Sequence, residues 1–162
     1  MEIWDAYDKE FKKIPNMELI RGTDIPEGMF HLVCDIIVRH IDGEYLLMKR
    51  DWRKHFGNMW EATAGGSALK GETPLECAMR ELREETGIVS NHLTEVGNVI
   101  NNETHSIYVE FLCVTDCDKD SIILQDGETS AYKWVNRSDL IAMKKDELIT
   151  ERMQQFISEL QQ

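Results

Sequence analysis

Of three glutamates, Glu84 and Glu85 lie three and four residues after Glu81. On a helix such steps set carboxylates along one flank, over an arc of about 100° adjoining the apolar stripe. Like charges so placed cost roughly a few tenths of a kcal/mol per pair. A hard divalent cation removes that repulsion, and carboxylate oxygens are the donors that magnesium or manganese takes. The same residues also read as an ordinary solvated acidic face, since helix surfaces are commonly charged. Upstream lies Gly65-Gly66, where the lack of side chains lets a ligand or metal approach the main chain.

The element that must hold these carboxylates is well marked. Thr73 is a suitable N-cap, Pro74 fits the first helical position, and Glu76 completes a Thr-x-x-Glu capping box. Leu75, Ala78, Met79 and Leu82 recur at helical spacing and predict one apolar stripe. Arg80 and Arg83 fall nearer the other flank, with Glu76 and Arg80 as an i, i+4 pair. Gly87 predicts the C-terminal stop.

Around this helix the sequence predicts strands. Residues 1–30, with Pro15, Pro26 and Arg21-Gly22-Thr23-Asp24, read as a hairpin extension leading into the domain. Leu32, Cys34, Ile36 and Val38 alternate as a half-buried strand, Asp42-Gly43 turns, and Tyr45 to Lys49 returns. Trp60 to Ala64 is expected as a short strand followed by the glycine pair. Leu93–Ile100 and Ile107–Val114 form another expected hairpin, turning near Asn101-Asn102, with further strands near Ile122–Leu124 and Tyr132–Val135. Ser138 is expected to cap a short helix, and Thr150 a final one whose inner face carries Met153, Phe156, Ile157 and Leu160 for core or dimer packing. The expected fold class is α/β in the broad sense (α+β), a mixed β-sheet between helices, as one domain over residues 1–162.

Composition narrows the function. The chain has 162 residues, 18 Lys+Arg against 30 Asp+Glu and a formal net charge of −12. Such an acidic surface disfavours nucleic-acid polymers and anionic membranes. An anionic substrate then needs a cation to bridge it to the protein. No stretch is long and apolar enough to span a bilayer, and no secretion signal is readable at the N-terminus. Cys34, Cys77, Cys113 and Cys117 include no Cys-x-x-Cys pair, so reduced thiols in a cytoplasmic protein are expected over a zinc site at Cys113 and Cys117.

From Gly66 the chain reads Gly66, five residues, Glu72, seven residues, then Arg80-Glu81-Leu82-Arg83-Glu84-Glu85-Thr86-Gly87-Ile88. This resembles the Nudix box at all nine defined positions, a match expected by chance on the order of once in ten million chains this long. The resemblance implies a Nudix-like fold and hydrolysis of a nucleoside diphosphate linked to another group, X, with magnesium or manganese. By the same resemblance Glu81, Glu84 and Glu85 are metal ligands, one of them also a candidate base, and the Gly65 carbonyl is a further ligand. Arg80 would orient the glutamates and Glu72 would brace the loop–helix–loop.

Softer similarities extend over most of the chain. Trp4-Asp5-Ala6-Tyr7-Asp8, residues 26–32 and Trp60-Glu61-Ala62-Thr63-Ala64-Gly65-Gly66 are similar to Nudix proteins near isopentenyl-diphosphate isomerase. Glu128-Thr-Ser-Ala-Tyr-Lys-Trp134 resembles that enzyme's segment with an essential glutamate, which makes Glu128 a candidate metal ligand or general base beside the reading as an exposed acidic turn. The isomerase is expected to use a cysteine and a histidine where this chain has Ala64 and Gly66, so the hydrolase is favoured. A catalytically silent nucleotide-binding module of the same fold is the alternative from another class.

Lys49-Arg50-Asp51-Trp52-Arg53-Lys54-His55 is the one dense basic run. Arg50, helped by Arg53 or Lys54, is a candidate contact for substrate phosphate, beside the reading as a solvated loop. Trp52 and Trp60 are candidate base-stacking rings, with core packing favoured for Trp60 and Trp134. His31 reads as a hydrogen-bonded histidine at a strand start.

Overall fold

The computed structural model describes residues 1–144, 146–147, 155 and 158–159. The chain opens with a two-stranded antiparallel hairpin, β1 (Ile3–Tyr7) and β2 (Lys13–Ile20), with Ile3 opposite Ile20. Next come β3 (His31–His40) and β4 (Tyr45–Arg50), joined through the turn at Asp42-Gly43. β3 also runs parallel to β8 (Ser106–Thr115) over its whole length, from His31 opposite Ser106 to His40 opposite Thr115. β7 (Leu93–Asn101) closes that side as an antiparallel neighbour of β8.

The geometry that makes a site is the divergence of β3 from β4. The two strands pair only at Arg39 and Tyr45, beside their turn. Beyond that point β3 takes β6 (Ala64–Ser67) as its partner, while β4 takes β5 (Trp60–Glu61) and β9 (Thr129–Val135). The segment expected as one strand over Trp60–Ala64 is therefore two strands. It crosses from β4 to β3 at Ala62-Thr63, and Gly65-Gly66 lie inside β6 rather than after a strand.

The alternation along β3 places Cys34, Ile36 and Val38 on one face, against α1 (Pro74–Thr86), and Ile37 on the other, in a cluster with Leu140 of α2 (Arg137–Ala142). The fold class is α+β, a mixed sheet with few helices. Thr73, Pro74, Glu76 and Gly87 act as the sequence predicts: the capping box is complete and Gly87 takes the left-handed C-cap at φ 79°. The apolar stripe is rotated, however. Leu75 is exposed and Met79 half-buried, while Cys77, Ala78, Leu82, Glu85 and Thr86 are buried. The helix has turned toward the side that carries carboxylates. Leu82 alone, fully buried, contributes about 1.5–3 kcal/mol.

Elsewhere local chemistry differs from expectation. Ile122–Leu124 is not a strand; the Ile123 N–H donates to the Thr86 carbonyl at 2.9 Å, so the segment ties down the end of α1. The short helix is capped by Asn136, whose side chain accepts from the Asp139 N–H at 2.8 Å, and Ser138 sits within it. All four cysteines are free. The His31 Nδ1–H donates to the His105 carbonyl at 3.2 Å, and the ring stacks on Trp4. The final helix expected from Thr150, with Met153, Phe156, Ile157 and Leu160, lies outside the described residues. Among the described residues no helix is long and apolar enough to cross a membrane.

Candidate active site

Residues 77, 81 and 85 lie one helical turn apart, so the face that buries Cys77 also carries Glu81 and Glu85 inward. Glu85 is 7% exposed, whereas Glu84 lies on the exposed side. Arg80 organises this row. Its Nε donates to Glu72 Oε1 at 2.6 Å and its Nη2 to Glu72 Oε2 at 3.0 Å, a two-pronged pair. Nη1 reaches Glu81 Oε1 at 2.8 Å and Glu84 Oε2 at 3.3 Å, and Nη2 also donates to the Ser67 carbonyl at 3.1 Å. The expected Arg80–Glu76 pair is absent because the Glu76 carboxylate accepts instead from the Thr73 N–H in the capping box. Glu72 also accepts from the Leu69 N–H at 2.8 Å. Burial alone would raise the Glu72 carboxyl, but the bonds from Arg80 and Leu69 outweigh it and hold the group below its ordinary range.

The glycines make room for this arrangement. A Cβ on Gly66 would strike the Glu81 carboxylate, with Oε2 at 2.8 Å and Oε1 and Cδ closer still. One on Gly65 would lie 2.5 Å from Asp35 Oδ1 and 2.8 Å from the Cys34 carbonyl. Both positions require glycine for close approach, and in each case a carboxylate occupies the space.

Glu85, Gly65, Gly66, Lys54 and Glu128 form a waist shared by two hollows. One, of about 290 Å³, extends past Arg50, Glu61, Asp35 and Tyr108. The other, of about 310 Å³, extends past Glu81, Glu84, Arg80 and Gln125. A larger hollow of about 680 Å³ near the β3–β4 turn contains none of the box residues.

The waist is electrostatically tense. Burial pushes the Glu85 carboxyl well above its ordinary value, reinforced by Glu61, Glu81 and Glu128 and opposed by Lys54. Burial raises Glu81 as well, against the pull of Arg80, and raises Glu61 against the pull of Arg50. Among the described residues no three acidic, histidine or cysteine side chains converge into a ready-made metal cage. The donors are nevertheless all hard oxygens, several of them desolvated and mutually repelling, which is the chemistry a divalent cation suits. The residues present fit such an ion.

The other sequence candidates divide. Glu128 reaches the waist, where it pairs with Lys54. Arg50 lines the first hollow, paired with Glu61 and donating from Nε to the His55 carbonyl at 2.8 Å. Arg53 turns away: Nε and Nη2 grip Asp51 at 2.7 and 2.9 Å, and it lines neither hollow, whereas Lys54 lines both. Trp52 is 70% exposed beneath the Arg53 guanidinium, and Trp60 packs on the cluster around Leu140. Sequence reasoning assigned no role to Glu61, Asp35, Tyr108, Glu2 or Arg21, all of which border the hollows. Only Glu61 gave a local signal, as the carboxylate preceding Ala62-Thr63-Ala64-Gly65-Gly66.

Residues 29–160 match the NUDIX domain. An uncharacterized Nudix hydrolase of Listeria monocytogenes is 30% identical over 146 residues, which cover 89% of this chain and 85% of that protein. An isopentenyl-diphosphate Delta-isomerase of Corynebacterium diphtheriae is 26% identical over 135 residues, 75% of this chain and 70% of the isomerase. In fold, the solved structure of DR0079 from Deinococcus radiodurans superposes with a TM-score of 0.70 at 21% identity, covering 87% of each chain. Nudix hydrolases as a group use divalent metal ions. With its domain match, its Listeria relative and its glutamate-lined cleft, the chain belongs to the NUDIX domain family and is a hydrolase of the Nudix type.

Proposed function

We propose that the protein is a magnesium- or manganese-dependent hydrolase that cleaves the diphosphate linkage of a small nucleoside diphosphate–X substrate, acting as one Nudix domain over residues 1–162. The observation that carries this reading is the waist itself: Glu85 is buried among Glu61, Glu81 and Glu128 with Lys54 as its opposing charge, so the site calls for added cations. Glu81, Glu84, Glu85 and the Gly65 carbonyl are the groups that would hold them. When bound, such an ion neutralises phosphate charge and polarises water.

The chain's own residues do the rest. Arg50 beside the waist and Lys54 within it offer N–H donors to phosphate oxygens, at the expense of their pairing with Glu61 and Glu128. Glu128 and the box glutamates, Glu84 among them, are the carboxylates that would take a proton from the attacking water. Arg80 is a positioning residue, fixing Glu81 and Glu84 from one guanidinium. Two hollows meeting at the waist suit a substrate whose scissile linkage lies in its middle.

The test is product release from sugar nucleotides, dinucleoside polyphosphates, nucleoside triphosphates and isopentenyl diphosphate, with magnesium, manganese or EDTA. Metal-dependent release of a nucleoside monophosphate supports the reading. Nucleotide binding without turnover in either metal would replace it with a silent binding module.

A further inference from the structure

The second hollow has a wall that the box does not supply. Because Ile3 faces Ile20, the open end of the β1–β2 hairpin brings Glu2 and Arg21 together. The Arg21 N–H donates to the Glu2 carbonyl at 3.1 Å, and Nη1 meets Glu2 Oε2 at 3.1 Å. The other Glu2 oxygen accepts from Trp4 Nε1 at 2.7 Å, and the Trp4 ring stacks on His31 with centroids 4.2 Å apart. The hairpin is fastened to the loop that enters α1: the Lys70 N–H donates to the Ile3 carbonyl at 2.9 Å and the Gly71 N–H to Asp5 Oδ2 at 2.8 Å. Its open end is held where Glu2 and Arg21 line the same hollow as Glu84, Arg80 and Gln125.

The cations of this hollow are not equivalent. Arg80 is committed to Glu72, Glu81 and Glu84, and Lys54 to Glu128. The Arg21 side chain is 66% exposed and held by one solvent-facing pair, weak enough for a ligand to share. The surrounding glutamates disfavour a further anion at this end. A guanidinium beside a carboxylate instead matches a sugar diol: the arginine donates to a hydroxyl oxygen while the carboxylate accepts hydroxyl protons. The hollow, about 310 Å³, is of the size that small ligands occupy.

Resting on the diphosphatase reading above, we propose that Arg21 and Glu2 recognise the hydroxyls of a sugar in the X position, so that the substrate class is a nucleoside diphosphate sugar. The N-terminal hairpin is then a specificity wall of the active site.

The experiment compares ADP-ribose, UDP-glucose and GDP-mannose, each with its own nucleoside diphosphate. Binding is measured by calorimetry on the Glu84→Gln protein with magnesium, and KM and kcat are measured in the wild-type background. At least one sugar nucleotide is expected to bind more tightly than its parent diphosphate. Arg21→Ala and Glu2→Gln should each erase roughly tenfold of that margin, as loss of a charge-assisted hydrogen bond does, acting on KM and sparing affinity for the parent. Arg21→Lys, which keeps a donor, should restore part of it. No margin for any sugar, or equal weakening of sugar nucleotide and parent, overturns the proposal and leaves the diphosphatase standing. If no nucleotide of any kind binds or is cleaved, the diphosphatase reading fails first.

Discussion

The Glu81 carboxylate lies directly over Gly66, in the space a side chain would take, and Arg80 holds it there at 2.8 Å. The strand supplies an absence and the helix fills it. Gly66→Ala must push that carboxylate aside, and the carboxylate is the far end of a flexible side chain. Folding should therefore change little, with a melting temperature within about 4 °C of wild type, while turnover falls roughly a hundredfold through misplacement of a reacting group. Gly65→Ala is the contrast. Its new methyl meets the Cys34 main-chain carbonyl at 2.8 Å, which cannot move cheaply, so stability should drop by about 1–3 kcal/mol. Thermal melts run beside product-release assays separate the two; equal loss of stability in both variants would refute the distinction.

Glu85 and Glu84 are adjacent in sequence and opposite in setting. Glu85 is buried among like charges, so Glu85→Gln removes an unfavourable charge and should raise the melting temperature measured without divalent ions. Glu84 is exposed, and Glu84→Gln should leave stability within about 0.5 kcal/mol. Both should sharply lower metal-dependent turnover. A destabilised Glu85→Gln protein, or full activity in either variant, would count against the site.

What the sequence disclosed was what neighbouring residues decide among themselves. Thr73, Pro74, Glu76 and Gly87 act within one or two turns of chain, and they set the helix limits correctly. The hairpin at Asp42-Gly43 and the one between β7 and β8 are local in the same way. Leu75 misled because a stripe argument puts apolar groups inward and charges outward, whereas here the site draws Glu85 in and leaves Leu75 out. Asn136 displaced Ser138 as a cap because both residue types cap well and only the chain's path chooses between them. Asp35 and Arg21 were silent, and Glu61 gave only its place ahead of Ala62-Thr63-Ala64-Gly65-Gly66, since all three join the cleft through strand pairing. Arg53 folds back on Asp51 two residues away, while Lys54 meets Glu128 across the chain and so faces the waist.

Asp51 offers a clean pH signature. The side chain and N–H of Arg53 both bond to its carboxylate and hold its pKa down to about 2, from an ordinary 3.8. A depressed carboxyl stabilises the fold at pH values above its unfolded pKa, and the benefit disappears as pH falls through the folded one. The melting-temperature gap between wild type and Asp51→Asn should therefore be constant from neutrality to about pH 4 and close by about pH 2. A gap that does not narrow over that interval would show that Asp51 acts through its shape and not its charge.

Arg50 carries two duties that one substitution cannot separate. It faces the first hollow, and it neutralises Glu61, a carboxyl that burial already raises. Arg50→Ala should raise KM for a diphosphate substrate, and it should also cost stability on the order of 2 kcal/mol by stranding Glu61. The double variant Arg50→Ala with Glu61→Gln removes the stranded charge. It should recover most of the lost stability in a thermal melt while KM stays high, because no guanidinium has been returned to the phosphate. If KM recovers along with stability, Arg50 serves the fold alone and phosphate recognition at the waist falls to Lys54.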